Sequence, residues 1–308
     1  MPADTLQDVR VWLIAVSADE NEREPCRDIP GNFFQPPNII YFCPMTLIIF
    51  TDLDGTLLDR DTYSWEPART ALKCCRQSRV PVVAVTSKTL AETRVLSEKI
   101  GLDPHFIFEN GGGIYLEDEK YLGLGIPYDT LRHDFLILAA RFPLRGMGDM
   151  RISELVEITG LTEVEALQAK ERLFSEPFLY AGDELAELEA AAAGQGLQIV
   201  RGGRFYHLMA EKQSKGNAVR QWVQQLGENF DRPLFTAALG DSPNDFSMLA
   251  VVDHPFLVKH KNGQSESCSL ERITRTRDVG PAGWSEAVMQ LLDNLSDACR
   301  SGEENCHV

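Results

Sequence analysis

The stretch Leu47-Ile48-Ile49-Phe50-Thr51-Asp52-Leu53-Asp54-Gly55-Thr56 sets the reading of this 308-residue chain. Four consecutive apolar residues predict a short strand buried on both faces, as in a parallel sheet covered by helices. The strand runs into two carboxylates at i and i+2, then a glycine. In extended backbone those two side chains point the same way. Ligands of open α/β sheets bind beyond the carboxyl ends of the strands, which is where this pair lies. Two carboxylates held together repel each other unless a cation intervenes. A hard divalent ion with oxygen ligands, Mg2+, meets that need. The plain alternative is a turn with two solvated aspartates, and other segments must decide between the two.

The neighbouring sequence repeats the strand, loop, helix pattern. Residues 80–85 and 106–108 predict further buried strands. Residues 66–79, with Pro67 near the first turn, and 89–100, stopped by Gly101, predict helices. Successive βα units predict a doubly wound parallel sheet. The alternation breaks after Gly111-Gly112-Gly113. Residues 114–116, the charged turn 117–120 and a helix-rich stretch to about 193 follow, with Thr162-x-x-Glu165 as a capping box. Short strands are expected at 197–200 and 204–209. The parallel pattern then resumes: helix 214–226, strand 234–239, helix 243–252, strand 255–258 and a last helix over 283–298. The expected organisation is a core of residues 45–116 and 208–308 carrying an inserted α/β cap domain at 117–207. Residues 1–44 contain Asp19-Glu20-Asn21-Glu22 and several prolines and sustain no period. They predict a weakly ordered N-terminal extension, and Met45, directly before the first strand, is a candidate start of translation.

Composition narrows the partners. The formal net charge is −16, with 46 acidic against 30 basic residues. Such a surface repels nucleic acid and anionic lipid, so neither is expected to bind. An anionic substrate would need local cations or a metal to reverse that field. Hydrophobic residues are 44% and charged residues 25%, ordinary for a soluble protein, and no stretch approaches a membrane span. Seven cysteines, an odd number without a CxxC pair, read as free thiols of a reducing cytoplasm. Oligomeric state is not legible.

Three later motifs complement the aspartate pair. In Val85-Thr86-Ser87-Lys88 a strand ends in a hydroxyl residue. Thr86 and nearby backbone N–H groups can hold phosphoryl oxygens; alone, such residues are usually helix caps. Lys215, in Gln213-Ser214-Lys215-Gly216-Asn217, can offset charge on a nucleophile and transferring oxygens; alone, it is an ordinary solvated lysine. Gly240-Asp241-Ser242-Pro243-Asn244-Asp245 leads a strand into a carboxylate loop. Asp241 is the better metal ligand. Asp245 falls three residues after Ser242, where an acid caps a helix, and it can also touch the metal through water.

In order, these segments resemble the signatures of the haloacid dehalogenase superfamily, with DxDGT at 52–56 and GDxxND at 240–245. The resemblance implies that Asp52 attacks phosphorus and that Asp54 protonates the leaving alkoxide and then activates water. It implies Thr86 and Lys215 as the remaining catalytic groups and Asp52, Asp54, Asp241 and Asp245 around Mg2+. Transport ATPases of the superfamily carry threonine at position 54 and the dehalogenases lack this acid, so Asp54 points to a phosphatase or phosphomutase. Segments 108–112, 146–150, 155–161, 169–178, 203–208 and 279–284 are similar to the mannosyl-3-phosphoglycerate phosphatase family, over residues 46–292. Thr86-Ser87-Lys88 also agrees with that narrower family, whereas the segment 1–44 is foreign to it. The resemblance implies hydrolysis of mannosyl-3-phosphoglycerate to mannosylglycerate, a compatible solute. Its candidate substrate contacts are Ser87, Lys88, Asn110, Gly111, Arg172, Glu176, Arg204 and His207. Plainer readings stand beside several of these. Arg172 and Glu176 have the i, i+4 spacing of a simple helix pair, and His207 alternates with apolar residues as a structural histidine would. A glucosyl substrate, another sugar-phosphate phosphatase or a phosphomutase, and a non-catalytic sugar-phosphate sensor are the open alternatives. The joint presence of Asp52, Asp54, Lys215 and Asp241 argues against the sensor.

Overall fold

The computed structural model describes residues 46–118, 120–227 and 234–304. The extension expected at 1–44 lies outside the described residues. The chain opens with β1 (Thr46–Thr51), α1 (Arg69–Gln77), β2 (Val82–Ala84), α2 (Leu90–Ile100) and β3 (Phe106–Phe108). A hairpin of β4 (Gly113–Glu117) and β5 (Lys120–Gly123) follows. Next come α3 (Tyr128–Ala139), β6 (Leu144–Gly146), α4 (Ile152–Thr159), α5 (Glu163–Lys170), β7 (Glu176–Tyr180), α6 (Leu185–Ala193), β8 (Leu197–Arg201) and β9 (Tyr206–Ala210). The last elements are α7 (Lys215–Gly227), β10 (Leu234–Gly240), α8 (Phe246–Leu249), β11 (His254–Lys259), β12 (Thr274–Val279) and α9 (Gly280–Glu304).

The central sheet has the order β12-β11-β10-β1-β2 and every pair in it is parallel. β3 joins alongside through a parallel bridge between Val85 and Ile107. From β1 the chain winds outward through β2 and β3, then returns and winds the other way from β10. The order therefore reverses between β1 and β10, the kind of switch point at whose carboxyl ends open α/β sheets bind their ligands. Asp52 follows one of these two strands and Asp241 the other. The apolar run behaves as its pattern predicts. Leu47 and Ile49 pack with Leu72, Trp284 and Val288 on one face, while Ile48 and Phe50 pack with Val219, Trp222 and Met248 on the other. Each large side chain buried this way contributes about 1.5–3 kcal/mol, so β1 is fixed from both sides.

The inserted domain is an antiparallel sheet of order β6-β7-β9-β8. α3 and α6 cover it, with Leu131, Phe135 and Leu188 packed against Phe178, Leu197 and Leu208. This sheet continues to Ala210, three residues past the expected end at 207, because His207-Leu208-Met209 form the middle of β9. β5 pairs with β4, and the hairpin forms a separate sheet with β3.

Other elements differ from expectation for physical reasons. β6 is only three residues long and β7 contains Pro177, so neither announces itself inside a helix-rich stretch. β12 is Thr274-Arg275-Thr276-Arg277-Asp278-Val279 with only Thr276 buried, an edge strand with no apolar signal. The helix expected at 243–252 is a 3-10 turn, Pro243–Asp245, followed by a single α turn. The capping box is present: Glu165 N donates to Thr162 Oγ1 at 3.3 Å and Thr162 N to Glu165 Oε2 at 2.9 Å. Among the described residues, no helix is long and apolar enough to cross a membrane.

Candidate active site

The site starts with how rigidly β1 ends. Asp52 N donates to Leu239 O of β10 at 2.9 Å. The Thr51 hydroxyl donates to Asp52 O at 2.7 Å and accepts from the indole N–H of buried Trp284 at 2.9 Å. Asp52, Asp241 and Asp245 each offer a carboxylate oxygen, and these oxygens lie within 4.8 Å of one another. All three residues are buried. Lys215, whose side chain is fully buried, places Nζ 2.6 Å from Asp52 Oδ1 and 2.6 Å from Asp245 Oδ1. Asp245 Oδ2 closes the loop by accepting from the N–H groups of Asp241 and Ser242, both at 3.0 Å. Asp245 thus joins the cluster and also holds the start of the 3-10 turn.

Three buried carboxylates and one buried ammonium leave the pocket short of positive charge. Burial pushes Asp52 well above the usual carboxylate range; Lys215 opposes this, while Asp245 and Asp241 reinforce it. Burial and then Asp245 raise Asp241, against Arg60, His260 and Lys215. Burial alone would favour neutral Lys215, but Asp245 and Asp52 outweigh it and hold the ammonium's pKa above that of an ordinary lysine. The Oδ1 atom of Asp241 is buried with no hydrogen-bond partner. Clustered carboxylates with an unpartnered oxygen are the donor set a hard divalent ion takes, so these residues fit such a cation.

Asp54 is not one of the three residues whose oxygens cluster. Extended backbone would turn it the same way as Asp52, but the chain turns after Thr51. Gly55 has φ +90°, and both Gly55 N with Leu58 O and Leu58 N with Leu53 O close at 2.8 Å. The turn sends the Asp54 carboxylate to Lys88, whose Nζ lies 2.9 Å from Oδ2. Its side chain is 37% exposed and its Oδ1 has no hydrogen-bond partner.

Thr86 is buried at the end of the next strand, and its Oγ1 accepts from Lys88 N at 3.2 Å. The cap of α2 is Thr89, in a capping box with Glu92, so Thr86 is not the helix cap. Asn110 belongs to three consecutive residues in the left-handed region: Glu109 at φ 48°, Asn110 at 54° and Gly111 at 87°. Non-glycine residues held there cost of order 1–3 kcal/mol each. Asn110 Oδ1 accepts from Asn244 Nδ2 at 3.2 Å, while its own Nδ2 is buried without a partner. A Cβ on Gly111 would sit 2.2 Å from Ser214 O. Glycine there lets the turn press against the residue before Lys215.

In the inserted domain, Arg172 lies beyond the end of α5 and bridges to the core. Its guanidinium donates to Ala169 O at 2.9 Å and to Ser87 O at 2.8 Å, and lies 3.8 Å from Glu92 Oε2. Glu176 opens β7 and accepts from the Tyr128 hydroxyl and from Gly148 N at 2.9 Å, with Arg132 at 3.4 Å. The two residues therefore do not form a helix pair. His207 is buried with Nδ1 unpartnered. Burial, then Arg172 and Lys215, push its pKa down to about 3, so the ring is neutral. Arg204 is exposed and donates to Thr159 O at 2.7 Å, at the C-terminus of α4.

Residues 49–137 and 178–268 match the haloacid dehalogenase-like hydrolase family. The chain belongs to that family. It is similar to the glucosyl-3-phosphoglycerate/mannosyl-3-phosphoglycerate phosphatase of Persephonella marina, 35% identical over 268 residues, which is 82% of this chain and 100% of that one. The protein of the same name from Methanococcoides burtonii is 36% identical over 271 residues, covering 80% and 98%. The crystal structure of sucrose-phosphatase from Synechocystis superposes with a TM-score of 0.57 at 17% identity, covering 81% of this chain and 98% of that one. That likeness shows the fold alone. As a member of this family the chain is an enzyme, a phosphoric monoester hydrolase.

Within this haloacid dehalogenase-like site, three residues escape the sequence reading. Glu109 is fully buried and accepts from Leu173 N at 2.8 Å, Phe174 N at 3.0 Å and the Ser175 hydroxyl at 2.6 Å. The available signal was a third acid directly after an apolar strand, as with Asp52 and Asp241. Arg60 places Nη2 2.7 Å from Asp241 Oδ2. Tyr63 sets its ring centre 5.3 Å from Lys88 Nζ. Neither contact, spanning 181 and 25 residues of chain, leaves a spacing to read.

Proposed function

We propose that this chain hydrolyses a glycosyl-3-phosphoglycerate, foremost mannosyl-3-phosphoglycerate to mannosylglycerate and phosphate, by a Mg2+-dependent attack of Asp52. The chemistry rests on one observation: buried Lys215 bonded at 2.6 Å to Asp52 and to Asp245, in a cluster completed by Asp241. The substrate class is supported by the two phosphatases that share over a third of their residues with this chain.

Asp52, Asp241 and Asp245 would hold Mg2+, which when bound neutralises charge on the phosphoryl oxygens. Lys215 holds Asp52 Oδ1 and fixes the carboxylate's aim. Asp52 forms a bond to phosphorus as the bond from phosphorus to the glycerate oxygen breaks. Asp54 is assigned as the acid that gives a proton to that oxygen. Its carboxylate then takes a proton from the water that cleaves the aspartyl-phosphate, restoring Asp52 and releasing phosphate. A proton transfer of this kind is worth about 10²–10⁴-fold in rate. Thr86 and the unpartnered amide of Asn110 are assigned to orient the phosphoryl oxygens. Lys88, Ser87, Glu176 and His207 are assigned to the glycerate carboxylate and sugar hydroxyls, with the inserted domain excluding water. The thiols of Cys75 and Cys268 are free, in keeping with a reducing cytoplasm as the location.

The test is a phosphate-release screen over mannosyl- and glucosyl-3-phosphoglycerate and common sugar monophosphates, with and without Mg2+. We expect kcat/KM to peak on a glycosyl-3-phosphoglycerate and to vanish with EDTA. Flat activity across the panel would remove the substrate assignment, and turnover surviving EDTA would remove the metal.

A further inference from the structure

The two oxygens of Asp241 live in different surroundings. Oδ2 is anchored: Arg60 Nη2 lies 2.7 Å away and His260 Nε2 3.5 Å away. His260 Nε2 is also within hydrogen-bond distance of the Asp241 carbonyl. Oδ1 is buried and has no partner. One end of the carboxylate is held and the other is presented.

Arg60 reaches this oxygen from outside. Its side chain is 49% exposed, whereas that of Asp241 is 1% exposed. Space for the guanidinium exists because residue 55 is glycine: a Cβ there would lie 2.5 Å from Asp241 Oδ2 and 3.1 Å from Arg60 Nη2. The loop carrying Arg60 is itself fastened. Asp59 Oδ1 accepts from Asp61 N at 3.1 Å and Thr62 N at 2.9 Å, and Asp61 pairs with Lys261, the neighbour of His260. Both arms that grip Oδ2 therefore come from segments tied to each other. An ordinary surface ion pair is worth little, but here the anionic partner is buried and belongs to the carboxylate cluster.

We propose that Arg60 is a positioning residue for the cation site: by anchoring Asp241 Oδ2 it aims Oδ1 at the bound divalent ion. This inference rests on the Mg2+ reading above. Groups that orient a ligand carboxylate typically account for about 10–100-fold in metal affinity. The sign of the effect distinguishes orientation from simple charge balance. A guanidinium that merely neutralised Asp241 would oppose a second cation, so removing it would tighten metal binding. A guanidinium that aims the carboxylate would, on removal, weaken it.

The experiment is calorimetric titration of Mg2+ into the full, substrate-free chain, as wild type, Arg60→Gln and Arg60→Lys, with circular dichroism to confirm the fold. We expect Mg2+ affinity to fall about tenfold or more in Arg60→Gln and to recover partly in Arg60→Lys. Unchanged or tighter binding in Arg60→Gln, with wild-type binding intact, overturns the positioning role alone. No Mg2+ binding by the wild type overturns the metal reading and this inference together.

Discussion

At the scale of single residues the site depends on Gly55 as much as on the carboxylates around it. Its φ of +90° is a conformation that side-chain-bearing residues rarely adopt, and the space a Cβ would need is filled by Asp241 Oδ2 and Arg60. Gly55→Ala should therefore act twice. Backbone strain should lower stability by of order 1–3 kcal/mol, and displacement of Asp241 should weaken Mg2+ binding. Thermal melting with and without Mg2+ measures both, and an alanine variant with wild-type melting and an undiminished Mg2+-induced shift would refute the argument. Which residues were readable follows the same logic. Asp52 and Asp241 were legible because each directly follows a buried strand, and topology alone brings those strand ends together. Asp54 is not part of the oxygen cluster of Asp52, Asp241 and Asp245, because period-2 geometry does not carry past the point where Gly55 turns the chain. Arg60 was invisible because its partner lies 181 residues away.

At the scale of elements, the turn after β3 couples the two halves of the molecule. Its left-handed residues carry Glu109 into a buried position, where it accepts from Leu173 N, Phe174 N and the Ser175 hydroxyl, just beyond α5. Gln213 Nε2 donates to Glu109 O at 2.7 Å, where the chain re-enters the core. Glu109→Gln keeps the size but sets an amide NH2 against backbone N–H donors. Unsatisfied buried groups of this kind cost about 1–3 kcal/mol each. We expect faster hydrogen exchange at the amides of Leu173 and Phe174 and a raised KM, with Mg2+ affinity retained because the carboxylate cluster is untouched. Unchanged exchange at those two amides would show that Glu109 is not the latch. The sequence pattern exposed the elements buried on two faces, such as β1 and β10, since burial on both faces demands a continuous apolar run. It could not expose β12, whose hydrophilic edge needs apolar cover on neither side, nor β7, whose proline argues against a strand although Pro177 faces His207 across the β7–β9 pair.

At the scale of the whole molecule, the inserted domain brings a neutral histidine near the buried cations of a chain that is otherwise strongly acidic. His207, on β9, feels both Arg172 and Lys215, and with burial these push its pKa from 6.5 to about 3. The unfolded chain, by contrast, lets this ring titrate near its ordinary value. Between those two values the unfolded state binds the extra proton, so falling pH favours unfolding. The native state is unpenalised above about pH 7.5 and loses stability as pH drops through 6.5 toward 3. At pH 5 the loss from this one residue is about 2 kcal/mol, equivalent to about 3 °C in melting midpoint for a chain of 308 residues. His207→Gln cannot take up that proton. Every other titrating group is common to both proteins, so the difference between their pH 8 to pH 5 melting shifts isolates the histidine. We expect the wild type to lose about 3 °C more than the variant over that interval. Equal shifts in the two proteins would mean that position 207 is charged or solvated in the native state, and that β9 does not bury its ring against the core.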